Sequence, residues 1–477
     1  MSDYDENEDA FDENKINEEI ASPDKRVRAD AIERLAQKTF FEGNPEKSLV
    51  YLATVADLRS ELEDHSGLMW TFNQMGYVES ERAHFKEALD YYKQMIDQAR
   101  KAMHTKGEID GLSGCASMCR RMKRYNEAAD FLKDAVALGI ETDYRMLGHL
   151  KADLARMLRK SGELEAAEQL LREAQETFMQ NGFENIVPRV ENELASTLFD
   201  EANVELSLAK ATEAYHLAKY DENNREIDRA QFLMARCLNQ LGRFSEAFKI
   251  LEEMKARSTN RKRQKHRART DLEFARALVG LDRRREASAL LSVLIPVLKS
   301  HKLLSEACDA IRMQGHNLII VGELLEAEQT LVEAISLAEE HDFDGFFVEA
   351  TTLLAICYEV MERHGDKIHQ YEIVAANPLN MGRFEFWMAA GEIALHYAKA
   401  GNSEVANRYI SAISDGPANL VTPAIKAQSE EAQYWLLLGQ GQKVKAKNMA
   451  NKAMVNYLLD SRTDDATRLA QVIRELD

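Results

Sequence analysis

A small residue returns about every 40 positions along most of this chain: Ser48, Ala88, Ala128, Ala167, Ser207, Ala247, Ala287 and Ala327, then Ala406 and Ala446 after one slip in register. A second small residue stands twelve positions earlier, at Ala36, Gly76, Ala116, Ala155, Ala195, Ala235, Ala275, Gly315 and Ala394. A third often follows by seven, at Ala135, Ala174, Ala214, Ala334 and Ala453. A fixed period of this length means an array of like units, each contacting its neighbours. Such arrays present surfaces more than enclosed catalytic pockets.

The unit reads as two helices. In residues 229–255, Phe232, Leu233, Ala235, Leu238 and Leu241 recur at helical spacing, and Gly242 breaks the pattern. Phe244, Ala247, Phe248, Ile250, Leu251 and Met254 then form a second apolar stripe. The breaking glycine recurs at Gly43, Gly162, Gly322, Gly401 and Gly441, five residues before the small residue each time. Glycine suits a tight turn between helices because it tolerates positive φ. One helix pair cannot bury both stripes, so neighbouring pairs must stack.

The stretches LGRFSEAFKILEEM from Leu241, SGELEAAEQLLREA from Ser161 and VGELLEAEQTLVEA from Val321 resemble second helices of the tetratricopeptide repeat (TPR) family. The pairs Leu35–Ala36, Met75–Gly76, Leu154–Ala155 and Leu194–Ala195 are similar to its first helices. The family's usual period is about 34 residues, so the likeness is to its 40-residue subset. The resemblance implies an all-α, right-handed superhelical solenoid of about eleven helix-turn-helix repeats over residues 23–460. An acidic, disordered tail is expected over residues 1–22 and a capping helix over residues 461–477. Pro188 is expected to open a helix and Pro296 to kink one. No apolar stretch reaches membrane-spanning length and the start is acidic, so no signal peptide or spanning helix is expected, and the reading is cytoplasmic.

Nothing in the sequence points to catalysis or to a cofactor. A glycine-rich phosphate loop, a His-Glu-x-x-His motif and a nucleophile elbow are all missing from it. Cys115 and Cys119 occupy slots held by Leu154 and Leu158 one repeat later, and read as small buried hydrophobes. Cys237, Cys308 and Cys357 have no zinc-like spacing. His364 and His369, near the slip in register, read as part of a solvated turn. No metal site is expected.

Charge carries the remaining information. The net charge is −19, yet residues 1–20 alone hold nine acids against Lys15. That segment reads either as a solubilising tail or as one that competes for a basic surface. The first helix of each TPR unit lines the concave face, so the resemblance implies which residues point there. Arg236 and Arg276 directly follow a small position, as do Arg156 and Tyr77. Arg189, Arg229 and Arg269 recur six positions before one, in register with Trp70. Arg120, Arg121, Arg159, Lys160 and Arg312 add to the row, and Asn73 shares the face of Trp70 and Tyr77. Guanidinium forks match carboxylate or phosphate. They serve equally well as partners for acids in adjacent repeats. A second basic run, Arg257–Thr270, has no aromatic residue for stacking on bases.

The expectation is therefore a non-catalytic scaffold or adaptor that binds another protein or peptide through an acidic or carboxylate-bearing segment in an arginine-lined groove. The alternatives are a bacterial or phage peptide-sensing regulator that changes superhelical pitch on binding, and nucleic-acid or nucleotide binding through the arginines.

Overall fold

The computed structural model describes residues 13–142, 144–257 and 264–475, and divides the chain into two compact units, Met1–Leu241 and Gly242–Asp477. The first unit holds α1 (Glu13–Ile20), α2 (Lys25–Phe41), α3 (Pro45–Glu61), α4 (His65–Glu81), α5 (Phe85–Lys101), α6 (Thr105–Arg121), α7 (Tyr125–Glu141), α8 (Leu147–Ser161), α9 (Leu164–Gln180), α10 (Val187–Asp200), α11 (Val204–Tyr220) and α12 (Asn224–Gln240). The second holds α13 (Phe244–Arg257), α14 (Gln264–Gly280), α15 (Arg284–Ser300), α16 (Leu304–Val321), α17 (Leu324–Glu340), α18 (Asp344–Val360), α19 (His364–Ala376), α20 (Phe384–Lys399), α21 (Ser403–Ser414), α22 (Pro423–Gly439), α23 (Lys443–Leu459) and α24 (Thr463–Glu475). By sequence order α2 to α23 make eleven consecutive pairs, as expected, and no strand occurs among the described residues. No helix among them is long and apolar enough to cross a membrane.

Within each unit the small-residue register is the seam of a helix pair. Ala88, Ala128, Ala167, Ala247, Ala287, Ala327, Ala406 and Ala446 are all fully buried, as are Ala36, Ala155, Ala195, Ala235, Ala275 and Ala394 twelve positions before the seam residues. A side chain at Gly315 would sit 2.6 Å from Leu331, so the helices approach too closely there to admit one without a shift. The two serines in the series fit for a second reason. Ser48 Oγ donates to the Ala36 carbonyl at 2.8 Å, and Ser207 Oγ to the Ala195 carbonyl at 2.7 Å. Each returns its hydroxyl to the small residue it packs on, so burial leaves no donor unmatched.

The turns follow a backbone rule rather than a residue rule. Gly43, Gly162, Gly242, Gly322, Gly401 and Gly441 all have positive φ. At the same place in other pairs Ala83, Lys123, Ala202, Asp282 and Glu362 adopt it without being glycine. The turns between pairs repeat the device at Glu63, Met103, Gly182, Glu222, Lys302, Asp342 and Ser461. The left-handed residue thus recurs about every 20 positions at most of the described helix junctions, though not between α19 and α20 or between α21 and α22.

The slip in register has a local cause. Lys367 stands where the seam residue after Ala327 belongs, and is 9% exposed. Its helix, α19, is short at 13 residues, and a 3-10 turn over Pro378–Gly382 leads into α20. Trp387 on α20 is buried there and donates its indole N–H to the Met381 carbonyl at 2.9 Å. Pro188 lies in the first turn of α10 and Pro296 inside α15. At the far end Ala466, Leu469 and Ile473 of α24 are buried. Leu469 joins a core cluster with Ala427, Ala453 and Tyr457. At the start, residues 13–20 of the expected acidic tail are helical, with Glu19 paired to Arg34. Residues 1–12 of that tail lie outside the described residues.

Candidate functional site

The arginine row exists, but most of it is spent on acids one repeat away. In the first unit Glu193 of α10, 3% exposed, accepts from Arg229 at 2.6 Å, Arg156 at 3.2 Å and Arg159 at 3.5 Å. Arg159 also reaches Asp200 at 2.8 Å, and Arg229 reaches Glu226 at 3.4 Å. Burial alone would raise the Glu193 pKa. The guanidiniums of Arg156, Arg229 and Arg159 outweigh it and hold the carboxyl down at about 2.

The second unit repeats the motif. Arg269 bonds Glu306 at 2.7 Å, and Arg276 bonds Asp309 at 2.6 Å. Arg312 bonds Asp309 at 2.7 Å and Glu349 at 3.1 Å. Apart from Arg312–Asp309, which lies within α16, these ion pairs lie between successive first helices. Two further members of the row lie over rings, Arg236 above Phe199 at 4.2 Å and Arg121 above Phe85 at 5.4 Å. Lys160 is exposed beside Arg159 at the end of α8. Of the basic run Arg257–Thr270, residues 258–263 lie outside the described residues, and Arg269 is in the ion pair given above.

Arg120, Arg156 and Arg189 come together differently. They line a cavity of about 290 Å³ with Ser113, Ser117 and Asp153, built from α6, α8 and α10. Asp153 meets Arg156 at 2.9 Å and Arg189 at 3.6 Å. Arg120 is exposed at the end of α6 and has no ion pair among the described residues. Three guanidiniums thus gather around Asp153, Arg156 being bonded to Glu193 as well, with two hydroxyls beside them. On α4, the neighbour of α6, Trp70 and Tyr77 are each 44% exposed and set edge-on to His104 and Phe40 respectively. Asn73 is half-buried between them in the helix. These three share a face but not the cavity.

The sequence left pairing with acids of adjacent repeats open but named none of those acids. Arg156 to Glu193, Arg269 to Glu306 and Arg312 to Glu349 each span 37 positions. That is about one repeat less one helical turn, but Arg276–Asp309 spans 33, Arg159–Glu193 34 and Arg229–Glu193 36 with the acid first, so no single offset finds all the partners. All five cysteines are buried and none forms a disulfide, and burial pushes the Cys115 thiol up to about 12. No cluster of three or more His, Cys, Asp or Glu among the described residues is placed to hold a metal ion.

Comparison with known proteins bears on the fold. The family described as the MalT-like TPR region matches residues 19–298. No curated protein matches the chain. Among solved structures, a signal transduction ATPase with numerous domains that carries a tetratricopeptide repeat sensor, from Pyrococcus horikoshii, aligns at 12% identity with a TM-score of 0.53. The alignment covers 76% of this chain and 55% of that one. A Rap protein complexed with competence and sporulation factor aligns at 13% identity and a TM-score of 0.47, over 77% of this chain and 97% of that one. BtubC from P. vanneervenii aligns at 18% identity and 0.35, over 50% and 90%.

Proposed function

Because the chain belongs to the MalT-like TPR family, whose helix pairs it repeats, we propose that it is a non-catalytic binding module that takes an acidic or carboxylate-bearing segment of a partner protein at the Arg120–Arg156–Arg189 cavity. The observation that supports this reading is the contrast within the arginine row. Elsewhere the guanidiniums are matched by carboxylates or seated over rings. At this cavity Arg120 is unmatched and Asp153 is shared by two arginines. A carboxylate entering the cavity would meet the forked donors of the arginines together with the hydroxyls of Ser113 and Ser117. The exposed faces of Trp70 and Tyr77 on α4 extend the surface with aromatic anchors for the same segment. No aromatic ring lines the cavity itself, so it offers no platform for a base, which disfavours nucleic acid.

The test is fluorescence anisotropy with a labelled Glu/Asp-rich peptide and its Gln/Asn counterpart. Arg120→Glu should weaken the acidic peptide by roughly tenfold or more, since a charge-assisted bond contributes about 1.5–3 kcal/mol. Arg276→Glu, in the second unit, should leave this binding in place. Binding should also weaken with salt, because Arg120 is solvent-facing. Equal affinity for the two peptides, or an unaffected Arg120→Glu protein, would remove the proposal.

A further inference from the structure

A second cavity, of about 480 Å³, lies within the second unit and differs from the first in its charge pattern. Its origin is Lys367. Where the seam calls for alanine, a lysine projects its ammonium to Glu392 at 2.8 Å and to Glu359. Gln428 donates to the other Glu392 oxygen at 2.5 Å. Two carboxylates around one ammonium leave this wall with one negative charge in excess. The opposite wall is built at the end of the chain. Arg468 of α24 grips Glu431 through two 2.8 Å bonds, and Lys399 approaches the same carboxylate at 3.4 Å. Arg468 and Arg462 share Asp465, at 3.1 and 2.7 Å. Three cations thus surround two carboxylates. Glu431 is fully buried and also accepts from Tyr457 at 3.0 Å, so it is saturated and faces away from any guest.

Helix α20 joins the two walls. Glu392, Leu395, His396 and Lys399 line the cavity at helical spacing, with the acid at one end and the ammonium at the other. Seven residues of helix separate those ends by about 10 Å. The volume lies within the usual range for a small-molecule site, about 300–1,000 Å³. An α-amino acid is too short to reach both walls. An extended chain of about three residues has the right length, at roughly 3.3 Å per residue. We infer that this cavity binds an elongated zwitterion, with its carboxylate at Lys399, Arg462 and Arg468 and its ammonium at Glu359 and Glu392. The inference is independent of the first-unit cavity and of whatever docks there.

Isothermal titration calorimetry on the full chain decides it, with trialanine as probe. N-acetyl-trialanine and trialanine amide each lack one end charge, and an ω-amino acid of matching length carries both charges without amide bonds. Trialanine should bind, and each capped form should bind at least about tenfold more weakly. Binding of the ω-amino acid would show that charge spacing suffices. Trialanine binding without it would show that the cavity also reads the amides. Lys399→Gln and Glu359→Gln, at half-exposed positions, should each lower trialanine affinity about tenfold with helical circular dichroism unchanged; Arg468 still holds Glu431 in the first variant. No heat from either zwitterion up to roughly 10 mM, equal binding of the capped forms, or full affinity in both folded variants would overturn the inference.

Discussion

At the scale of single residues, Glu193 is the most consequential side chain in the first unit. Its pKa of about 2 lies below the ordinary 4.5, so the carboxylate stabilises the fold fully above pH 4.5 and loses that contribution as pH falls from 4.5 towards 2. A shift of this size corresponds to on the order of 3 kcal/mol. Glu193→Gln should therefore lower stability by about that amount at pH 7, and the gap to the natural protein should close by pH 2. Thermal melts across that range check it; parallel curves would show that Arg156, Arg159 and Arg229 find other partners. The arginines themselves were legible in the sequence as a 40-residue series. Their pairing was not, because an ion pair between repeats depends on an acid carried 33 to 41 positions away on a different helix, and no local pattern reports it. The same blindness hid Asp153, which organises the first cavity from within α8.

At the scale of the element, helix and turn positions were largely readable and turn conformations only half so. The seam alanines appeared in the sequence because close packing admits nothing larger, and the structure buries every one. The left-handed turn residue was visible only where it is glycine. At Lys123 and Ala202 the same conformation is imposed by the two helices that meet there, and an ordinary residue bears the strain. A left-handed residue with a Cβ costs roughly 1–2 kcal/mol, partly offset by the freedom glycine gains when unfolded. Ala202→Gly should accordingly raise stability by up to about 1 kcal/mol, while Gly162→Ala should lower it by about 1 kcal/mol. The Gly162 change tests backbone alone, because an added methyl there meets nothing within 4 Å. Urea unfolding of both variants measures the pair, and shifts in the same direction would contradict the shared turn geometry.

At the scale of the molecule, the period was enough to give the repeat class, and the lysine in the seam shows where that inference stops. The sequence showed only a slip in register after Ala327, whereas the structure places Lys367 there as one wall of a cavity whose other wall is α24, more than 90 residues further on. The last helix is held by an ion pair as well as by apolar packing. Arg468 is 40% exposed while its partner Glu431 is fully buried, so the loss is smaller than for a wholly buried pair. Arg468→Ala should cost about 2 kcal/mol by stranding that carboxylate, and adding Glu431→Gln should recover much of it. A double variant no more stable than Arg468→Ala would assign the loss to packing instead.

The seams also bear on how such a long chain reaches its fold. Glu33 accepts from Gln74, and Asp200 from Arg159, each pair 41 positions apart, about one repeat. A helix therefore finds its packing partners within the neighbouring stretch of chain. Contact order stays low despite 477 residues, and with it the loop-closure entropy that slows folding. Each pair can dock as soon as the next has been synthesised, so the array can assemble in step with translation and need not wait for its far end.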